Sequence, residues 1–473
     1  MQGVGMRNLV LAPGLAVLVC SGTIAGMLAA DNREPGLLAS EDVSGQVRTF
    51  NVNGPLDLSN PFFQDLGTNG RRCSSCHLPD QGWTITPERV QERFEETNGL
   101  DPIFRSNDGS TCESADVSTL TRRRQAFSLL LTRGLIRIGI DVPTQTNDVP
   151  PRPAEFEIVS VDDPYSCPAN LTSPLPSASM YRRPLPSTNL PFLSAIMWDG
   201  REPDLAHQAN DATLGHAQAS VPLTAQEQQA IVTLETGLFT AQARDDRAGS
   251  LHARGAQGGP VALSRQPFFI GINDPVGLNP TKAPFDPNAF TIFSAWASID
   301  GEGRVAEARR SIARGELLFT SKPIVIAGVA GLNNQTFTTP SGPVTVPATI
   351  TANCTLCHDS PNVGNHSVKA PLNIGLTDVS RRTPDMPLFT LRNLSTHQTV
   401  QTTDPGRAMI SGKWADIGKF KGPVLRGLAA RAPYFHNGLA RTLEEAVEFY
   451  ETRFNIGLTA REKADLVSFL RSL

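Results

Sequence analysis

Two short motifs in this sequence bring together the residue types that can hold an iron porphyrin. Each motif has two cysteines three positions apart and a histidine directly after the second cysteine. The motifs are Cys73-Ser74-Ser75-Cys76-His77 and Cys354-Thr355-Leu356-Cys357-His358. Two thiols at this spacing can add to the two vinyl groups of one haem, and the histidine that follows can then bind the iron. We therefore predict two covalently attached c-type haems, with His77 and His358 as iron ligands.

Chance does not account for two such motifs in one chain. With 7 Cys and 8 His in 473 residues, the pattern is expected at random only about 0.002 times per chain. A thioredoxin-like redox pair or half of a zinc site also uses two nearby cysteines. Neither needs a histidine directly after each pair, so we favour haem attachment at both motifs.

The composition is that of a soluble globular protein long enough for two or three domains. Hydrophobic residues make up 40% of the chain and charged residues 19%. A net charge of −4 and a pI near 6.1 offer no basic surface to nucleic acid or to an anionic membrane. We therefore expect no nucleic-acid partner.

The N-terminal residues have the outline of an export signal. Arg7 is followed by a mostly apolar run, residues 9–30, and then by polar residues from Asp31 onward. We expect residues 1–30 to be a signal peptide that directs the chain to the bacterial periplasm, a compartment that also suits haem attachment of this kind. The alternative is that the apolar run, residues 9–30, remains as a membrane anchor.

Two cysteines lie outside both the motifs and the signal segment. Cys112 and Cys167 stand in polar, loop-like sequence, and an even remainder in an exported chain favours one disulfide. Three nearby segments, 127–132, 135–140 and 155–161, have the composition of strands. We therefore predict a β-rich insertion at about 101–183.

Three helix starts can be predicted from their capping residues. They are Thr86-Pro87-Glu88, Thr442-Leu443-Glu444-Glu445 and Thr459-Ala460-Arg461-Glu462. The first places proline in the first helical turn, and the other two are capping boxes. The last helix would bury one face that is formed by Leu466, Val467, Leu470 and Leu473.

Two further segments are like those of a known enzyme family. One is Trp198-Asp199-Gly200-Arg201, with Gln208 ten residues after the tryptophan, and the other is Pro433-Tyr434-Phe435-His436-Asn437-Gly438. In these segments the chain resembles the bacterial di-haem cytochrome c peroxidases and the related MauG enzymes. The resemblance extends from about Asn60 onward and is weakest at 101–183 and 322–351.

The resemblance implies a mainly α fold with many loops and two cytochrome-c-like haem domains. The N-terminal domain, 31–285, would contain the β-rich insertion and the haem that reacts with hydrogen peroxide. The C-terminal domain, 286–473, would contain the haem that receives electrons. The family further implies a calcium ion between the haems, bound partly by backbone carbonyls near Arg431 and Pro433, and it is compatible with a homodimer.

Peroxide chemistry needs an open iron position and a group that moves a proton between the two peroxide oxygens. The resemblance implies a glutamate about twenty residues after the tryptophan, but this position is Gln218, which cannot carry a proton. Gln208 matches the glutamine of the family. His216 could carry the proton because its unperturbed pKa is near neutral; it could instead bind the iron as sixth ligand or be a structural histidine. His207 is a weaker candidate.

The resemblance also assigns residues to the path of electrons and to the second haem. Trp198 matches the tryptophan that carries electrons between the haems, and its alternative is a core aromatic. Tyr450 stands where the peroxidases have methionine and MauG has tyrosine, so we expect it as sixth ligand, with Met386 and Met409 as rivals. His436 would lie near the second haem, in a structural or a functional role.

These inferences lead to one expected function and two alternatives. We expect a periplasmic di-haem c-type peroxidase that reduces hydrogen peroxide to water, with electrons from a small cytochrome c or a copper protein (a cupredoxin). If Tyr450 is the ligand, the alternative is a MauG-like oxidase that modifies a partner protein. The other alternative is a non-catalytic di-haem electron carrier with both irons six-coordinate.

Overall fold

A computed structural model of the chain describes residues 36–167, 171 and 176–473. The expected signal peptide or anchor, residues 1–30, lies outside the described residues. Within them, no helix has both the length and the apolar character needed to cross a membrane.

The described residues form ten helices. Their bounds are α1 Pro87–Thr97, α2 Leu120–Ala126, α3 Ser128–Arg133, α4 Leu205–Gly215, α5 Ala225–Gly237, α6 Pro260–Leu263, α7 Arg304–Ser321, α8 Ala408–Ser411, α9 Leu443–Phe454 and α10 Ala460–Arg471. Several one-turn 3-10 helices lie between them, and two of these hold the cysteine motifs.

The described residues also form thirteen strands. Their bounds are β1 Leu37–Asp42, β2 Gly45–Asn51, β3 Ile136–Asp141, β4 Phe156–Asp162, β5 Ser177–Arg182, β6 Leu238–Asp245, β7 Gly249–Ser250, β8 Ile324–Ala327, β9 Thr336–Thr339, β10 Gly342–Thr345, β11 Thr349–Ala352, β12 Leu388–Asn393 and β13 Thr399–Thr402. They pair as a four-stranded sheet in the order β1-β2-β6-β7, a three-stranded sheet in the order β13-β12-β4, and three two-stranded sheets.

The prediction of a mainly α fold is wrong, since the described residues are 28% helix and 19% strand. Most strands are short, and two of the pairings join strands far apart in sequence, β2 with β6 and β4 with β12. Such pairing depends on tertiary contacts rather than on local propensity. The resemblance to largely helical haem proteins therefore did not reveal them.

Within the predicted insertion, two of three strands and the disulfide are confirmed. Segments 135–140 and 155–161 correspond to β3 and β4, and Cys112 is bonded to Cys167. The strand predicted at 127–132 is wrong, because α3 occupies most of this segment. Leu130 and Leu131 pack into a core with Phe127. They follow Phe127 by three and four positions, which is the spacing of residues on one face of a helix.

Helices α1, α9 and α10 begin at the predicted caps. The hydroxyl groups of Thr86, Thr442 and Thr459 each accept the backbone N–H three residues later. Helix α10 packs against α7 at Gly315, where an added Cβ would lie 2.1 Å from the carbonyl oxygen of Asp465. The two helices contribute to one hydrophobic core. Leu466, Val467 and Leu473, which belong to the predicted buried face, lie in this core.

Candidate functional site

The two cysteine motifs fold in the same way. Cys73 and Cys354 each begin a single 3-10 turn, and the backbone N–H of the motif histidine donates to the carbonyl of that cysteine. The N···O distances are 3.0 Å for His77 and 3.2 Å for His358. The turn therefore brings two thiols and one imidazole to the wall of one cavity in each motif.

The imidazoles of both motif histidines are neutral and have a fixed tautomer. The Nδ1 atom of His77 lies 2.9 Å from the carbonyl oxygen of Trp83, and that of His358 lies 2.6 Å from the carbonyl oxygen of Gly364. These carbonyls can only accept, so Nδ1 carries the proton and Nε2 keeps its lone pair. Burial lowers the pKa of both imidazoles, to about 4 for His77. A neutral imidazole with a fixed tautomer is the form that binds iron.

Each motif opens into a cavity. Counted together with the open solvent at their mouths, the space between atoms is about 1590 Å³ at the first motif and about 1820 Å³ at the second. We call them the first and second cavities. Their thiols are not in disulfides, and burial raises the pKa of Cys73 and Cys354 to about 12. Thiols and histidine thus line each cavity as haem attachment requires.

The two cavities share a wall that is rich in basic side chains. Trp198, Arg183, Lys421 and Arg431 line both cavities. Burial lowers the pKa of Lys421 to about 7 and that of Arg431 to about 10. In the described part of the chain, Nε of Arg431 has no hydrogen-bond partner. Buried cations without carboxylate partners are unfavourable, and the two propionates of a haem are suitable partners. The wall therefore fits haem.

Trp198 lies in this shared wall. Its Nε1–H donates to the carbonyl oxygen of Arg183 at 2.8 Å. Its ring centroid is 6.2 Å from that of His436, which lines the second cavity. The indole is therefore fixed between the two cavities, where the resemblance expects the connecting tryptophan.

His216 lines the first cavity at the C-terminal end of α4. Its Nδ1 atom lies 2.5 Å from Oδ2 of the buried Asp108, and Asp108 forms an ion pair with the buried Arg71. Burial alone would raise the pKa of Asp108, but the Arg71 charge and the His216 contact hold it below its ordinary value. Asp108 is therefore an anion that fixes the His216 ring and leaves its Nε2 available.

Asp108 and Arg71 were missed by the sequence analysis. Asp108 lies in segment 101–183, 108 residues before His216, and no motif marks it. Arg71 stands two residues before the first motif, and its guanidinium also donates to the carbonyl oxygen of His216 at 3.2 Å. Only the adjacency of Arg71 to the motif was a usable signal.

The other residues expected around the first haem are not all brought together. Gln208, on α4, lines the first cavity. Gln218 is exposed, has a φ of +54°, and accepts from the side chain of Asn69 at 3.2 Å; it is not among the residues that line the cavity. His207 is exposed and bonds to Asp204 at 2.8 Å. Of the expected polar residues, His216 and Gln208 face the first cavity.

A buried glutamate in the first cavity was also missed. Glu235, on α5, is 4% exposed and lines this cavity, and its Oε2 has no hydrogen-bond partner among the described residues. Burial raises the pKa of Glu235 to about 7, although a hydrogen bond from Ser187 opposes the shift. The carboxyl can therefore gain or lose a proton near neutral pH.

The second cavity contains the tyrosine that the resemblance selected. Tyr450 lines it, and burial, followed by the nearby thiols of Cys357 and Cys354, raises the pKa of Tyr450. The rivals Met386 and Met409 are buried in two other hydrophobic clusters and are not among its lining residues.

His436 faces the same cavity. Its ring stacks on Phe420 with centroids 3.9 Å apart. Neither of its ring nitrogens has a hydrogen-bond partner in the described structure, and burial lowers its pKa to about 4. A neutral imidazole with free nitrogens therefore lies at the edge of the shared wall.

The carbonyls expected near a calcium ion already have a cationic partner. Nη2 of Arg183 donates to the carbonyl oxygens of Arg431 at 3.2 Å and of Ala432 at 3.4 Å. The described residues also contain no group of three or more His, Cys, Asp or Glu that could hold a metal ion. The residues present do not fit calcium at this place.

Comparison with known proteins supports the resemblance over part of the chain. No family model matches. The chain is similar to cytochrome-c peroxidases. The matches include IdrP1 of Pseudomonas sp. (strain SCT), 29% identical in an alignment of 142 residues that covers 26% of this chain and 36% of the relative. IdrP2 of Denitromonas iodatirespirans is 33% identical in an alignment of 134 residues that covers 25% of this chain and 35% of the relative.

A third relative is the cytochrome c551 peroxidase of Nitrosomonas europaea, 30% identical over 123 residues, which are 25% of this chain and 30% of that protein. The chain thus spans about a third of the length of the curated relatives it matches. Among solved structures, a MauG-like protein associated with microbial copper homeostasis is 15% identical, with 89% of this chain and 91% of that chain covered and a TM-score of 0.38. The resemblance to cytochrome-c peroxidases is confirmed over about a quarter of the chain. The curated relatives are oxidoreductases of the cytochrome-c peroxidase type and imply c-type haem.

Proposed function

We propose that this protein is a periplasmic di-haem c-type peroxidase that reduces hydrogen peroxide to two molecules of water with two electrons and two protons. The observation that carries the proposal is the arrangement of two motif-bearing cavities around one shared wall that contains Trp198. A haem held at each motif would supply redox-active iron, for peroxide reduction in the first cavity and for electron storage in the second.

His216 is the proposed acid–base group of the first cavity. With Nδ1 held by Asp108, Nε2 can take a proton from one peroxide oxygen and return it to the oxygen that leaves as water. Asp108 fixes the tautomer and stabilises the imidazolium while the proton is on the ring. Gln208 can orient the peroxide by hydrogen bonding, because it lines the same cavity. Gln218 has no part in this proposal.

Electrons are proposed to reach the first cavity through Trp198. The indole can be oxidised transiently, which divides one long transfer into two shorter ones. The donor would be a small cytochrome c or a cupredoxin that docks near the His358 side, in a domain comprising residues 286–473. The domain comprising residues 31–285 would perform the peroxide reaction.

A second candidate function is supported by Tyr450. This phenol, rather than Met386 or Met409, lines the second cavity. As sixth ligand, a phenolate would lower the potential of the second haem relative to a thioether. A MauG-like oxidase that modifies a partner protein is therefore the alternative to the peroxidase.

EPR spectroscopy of the oxidised and half-reduced protein, before and after hydrogen peroxide, tests the proposal. We expect a high-spin ferric signal from the first site that peroxide consumes. Two low-spin signals that are indifferent to peroxide in both redox states would instead identify an electron carrier. Mass spectrometry of partner proteins after peroxide treatment would separate the MauG-like alternative from a simple peroxidase.

A further inference from the structure

The guanidinium of Arg183 lies where carbonyl oxygens from three parts of the chain meet. Its Nη2 donates to the carbonyl of Ile85 at 2.7 Å, in addition to those of Arg431 and Ala432. Its Nη1 donates to the carbonyl of Arg133 at 3.0 Å. One cation therefore joins the segment after the first motif, the end of α3 and the C-terminal part of the chain.

This guanidinium is buried and forms no ion pair among the described residues. Arg183 is 4% exposed, and the carboxylate of Glu88 acts on it only from beyond ion-pairing distance. Burial and then repulsion from Arg431 lower the pKa of Arg183 to about 9, so the group is still cationic at neutral pH. Backbone carbonyl oxygens like those around Arg183 are also common ligands of calcium ions.

The guanidinium of Arg183 lies directly against Gly134, where a larger residue would clash with it. An added Cβ at Gly134 would lie 2.3 Å from Nη1 of Arg183. Gly134 also has a φ of +60° at the C-terminal end of α3, a conformation that larger residues adopt with strain. Gly134 therefore both ends the helix and admits the guanidinium.

We propose that the guanidinium of Arg183 is the permanent cation of the wall between the cavities and takes the place of the calcium ion that the family resemblance implies. A calcium ion there would compete for the carbonyls of Arg431 and Ala432 and would be repelled by the guanidinium. The wall is therefore held together without a metal ion. This inference concerns the wall and does not depend on the peroxidase reaction.

Metal analysis of the full-length, haem-loaded protein tests the inference directly. After desalting, we expect well under one calcium ion per chain, and we expect EGTA or added calcium to leave the EPR g-values and the thermal midpoint unchanged. One calcium ion per chain, whose removal by EGTA shifts either property, would overturn the proposal. Neither result depends on whether the protein turns over peroxide.

A pair of variants tests the role of the side chain itself. Arg183→Ala should shift the EPR signals of both haems, because it leaves the carbonyls of the shared wall without a cation. Arg309→Ala is the control, since Arg309 donates to one carbonyl, that of Ala248 at 2.9 Å, and lines neither cavity. Unchanged spectra in Arg183→Ala would contradict the proposal. If Arg183→Ala does not accumulate, the metal analysis of the unaltered protein still decides.

Discussion

The Nδ1 atom of His216 lies 2.5 Å from Oδ2 of Asp108. The same carboxylate is paired with Arg71 and is buried. This arrangement links a segment of low family resemblance to the cavity of the first motif. It also means that the chemistry proposed for His216 depends on a residue that only the tertiary structure brings near.

The contact between His216 and Asp108 leads to a prediction about turnover. Asp108→Asn removes the charge that stabilises the imidazolium and should lower peroxide turnover about 10- to 100-fold. His216→Ala should lower it about 100-fold or more. Steady-state rates at saturating electron donor measure both effects.

His207→Ala is the matched control, because this exposed histidine lies on the same helix; its rates should equal those of the unaltered protein. A rate that holds in His216→Ala would exclude the acid–base role, and a rate that rises would indicate that His216 is a sixth ligand.

Trp198→Phe should slow electron transfer between the haems. The phenyl ring is harder to oxidise and loses the hydrogen bond to the Arg183 carbonyl, while the lining of the first cavity is otherwise kept. Stopped-flow spectroscopy should show slower reoxidation of the second haem with unchanged peroxide binding. Trp414→Phe, in a hydrophobic cluster outside both cavities, is the control. Equal transfer rates in the two variants would exclude a bridging role for Trp198.

Tyr450→Phe tests the sixth ligand of the second haem. If the phenol binds the iron, its removal should change the low-spin g-values and raise the reduction potential of that haem. Tyr434→Phe is a close control, since Tyr434 lines the same cavity but donates its hydroxyl to the carbonyl of Leu428 at 2.9 Å. EPR and redox titration measure the changes. A Tyr450→Phe spectrum like that of the unaltered protein would assign the ligand elsewhere.

The cysteine motifs predict the haem content. The unaltered protein should contain two haems per chain by the pyridine haemochrome assay. Cys76→Ala should lose stable attachment at the first motif and abolish peroxide turnover, while the spectrum of the second haem persists. Cys357→Ala should give the reverse spectral loss. Normal turnover in Cys76→Ala would show that the reactive haem is not the one at His77.

Glu235 predicts a pH dependence of stability. Its pKa is raised by burial from an ordinary 4.5 to about 7, so the unfolded chain releases this proton more readily. The carboxyl therefore destabilises the fold increasingly as pH rises from 4.5 to 7. At pH 8, Glu235→Gln should raise the free energy of unfolding by about 3 kcal/mol. Chemical denaturation measures it, and the difference should vanish below pH 4.5; a difference independent of pH would refute the assignment.

The sequence by itself determined the features that depend on near neighbours in the chain. The spacing of Cys73, Cys76 and His77 fixes their joint geometry within one turn, and Thr86 and Thr459 cap helices through hydrogen bonds three residues away. The disulfide was also predictable, because an even number of cysteines remained after the motifs were assigned.

Apart from the disulfide, the contacts between distant residues were decided by the tertiary structure. Strand β4 pairs with β12 more than 200 residues later, Asp108 reaches His216, and the Arg183 guanidinium gathers carbonyls from residues 85 to 432. No local pattern encodes these contacts, because burial and packing select them only after the chain has folded. The sequence therefore predicted the haem attachment sites, and the fold determined which side chains surround them.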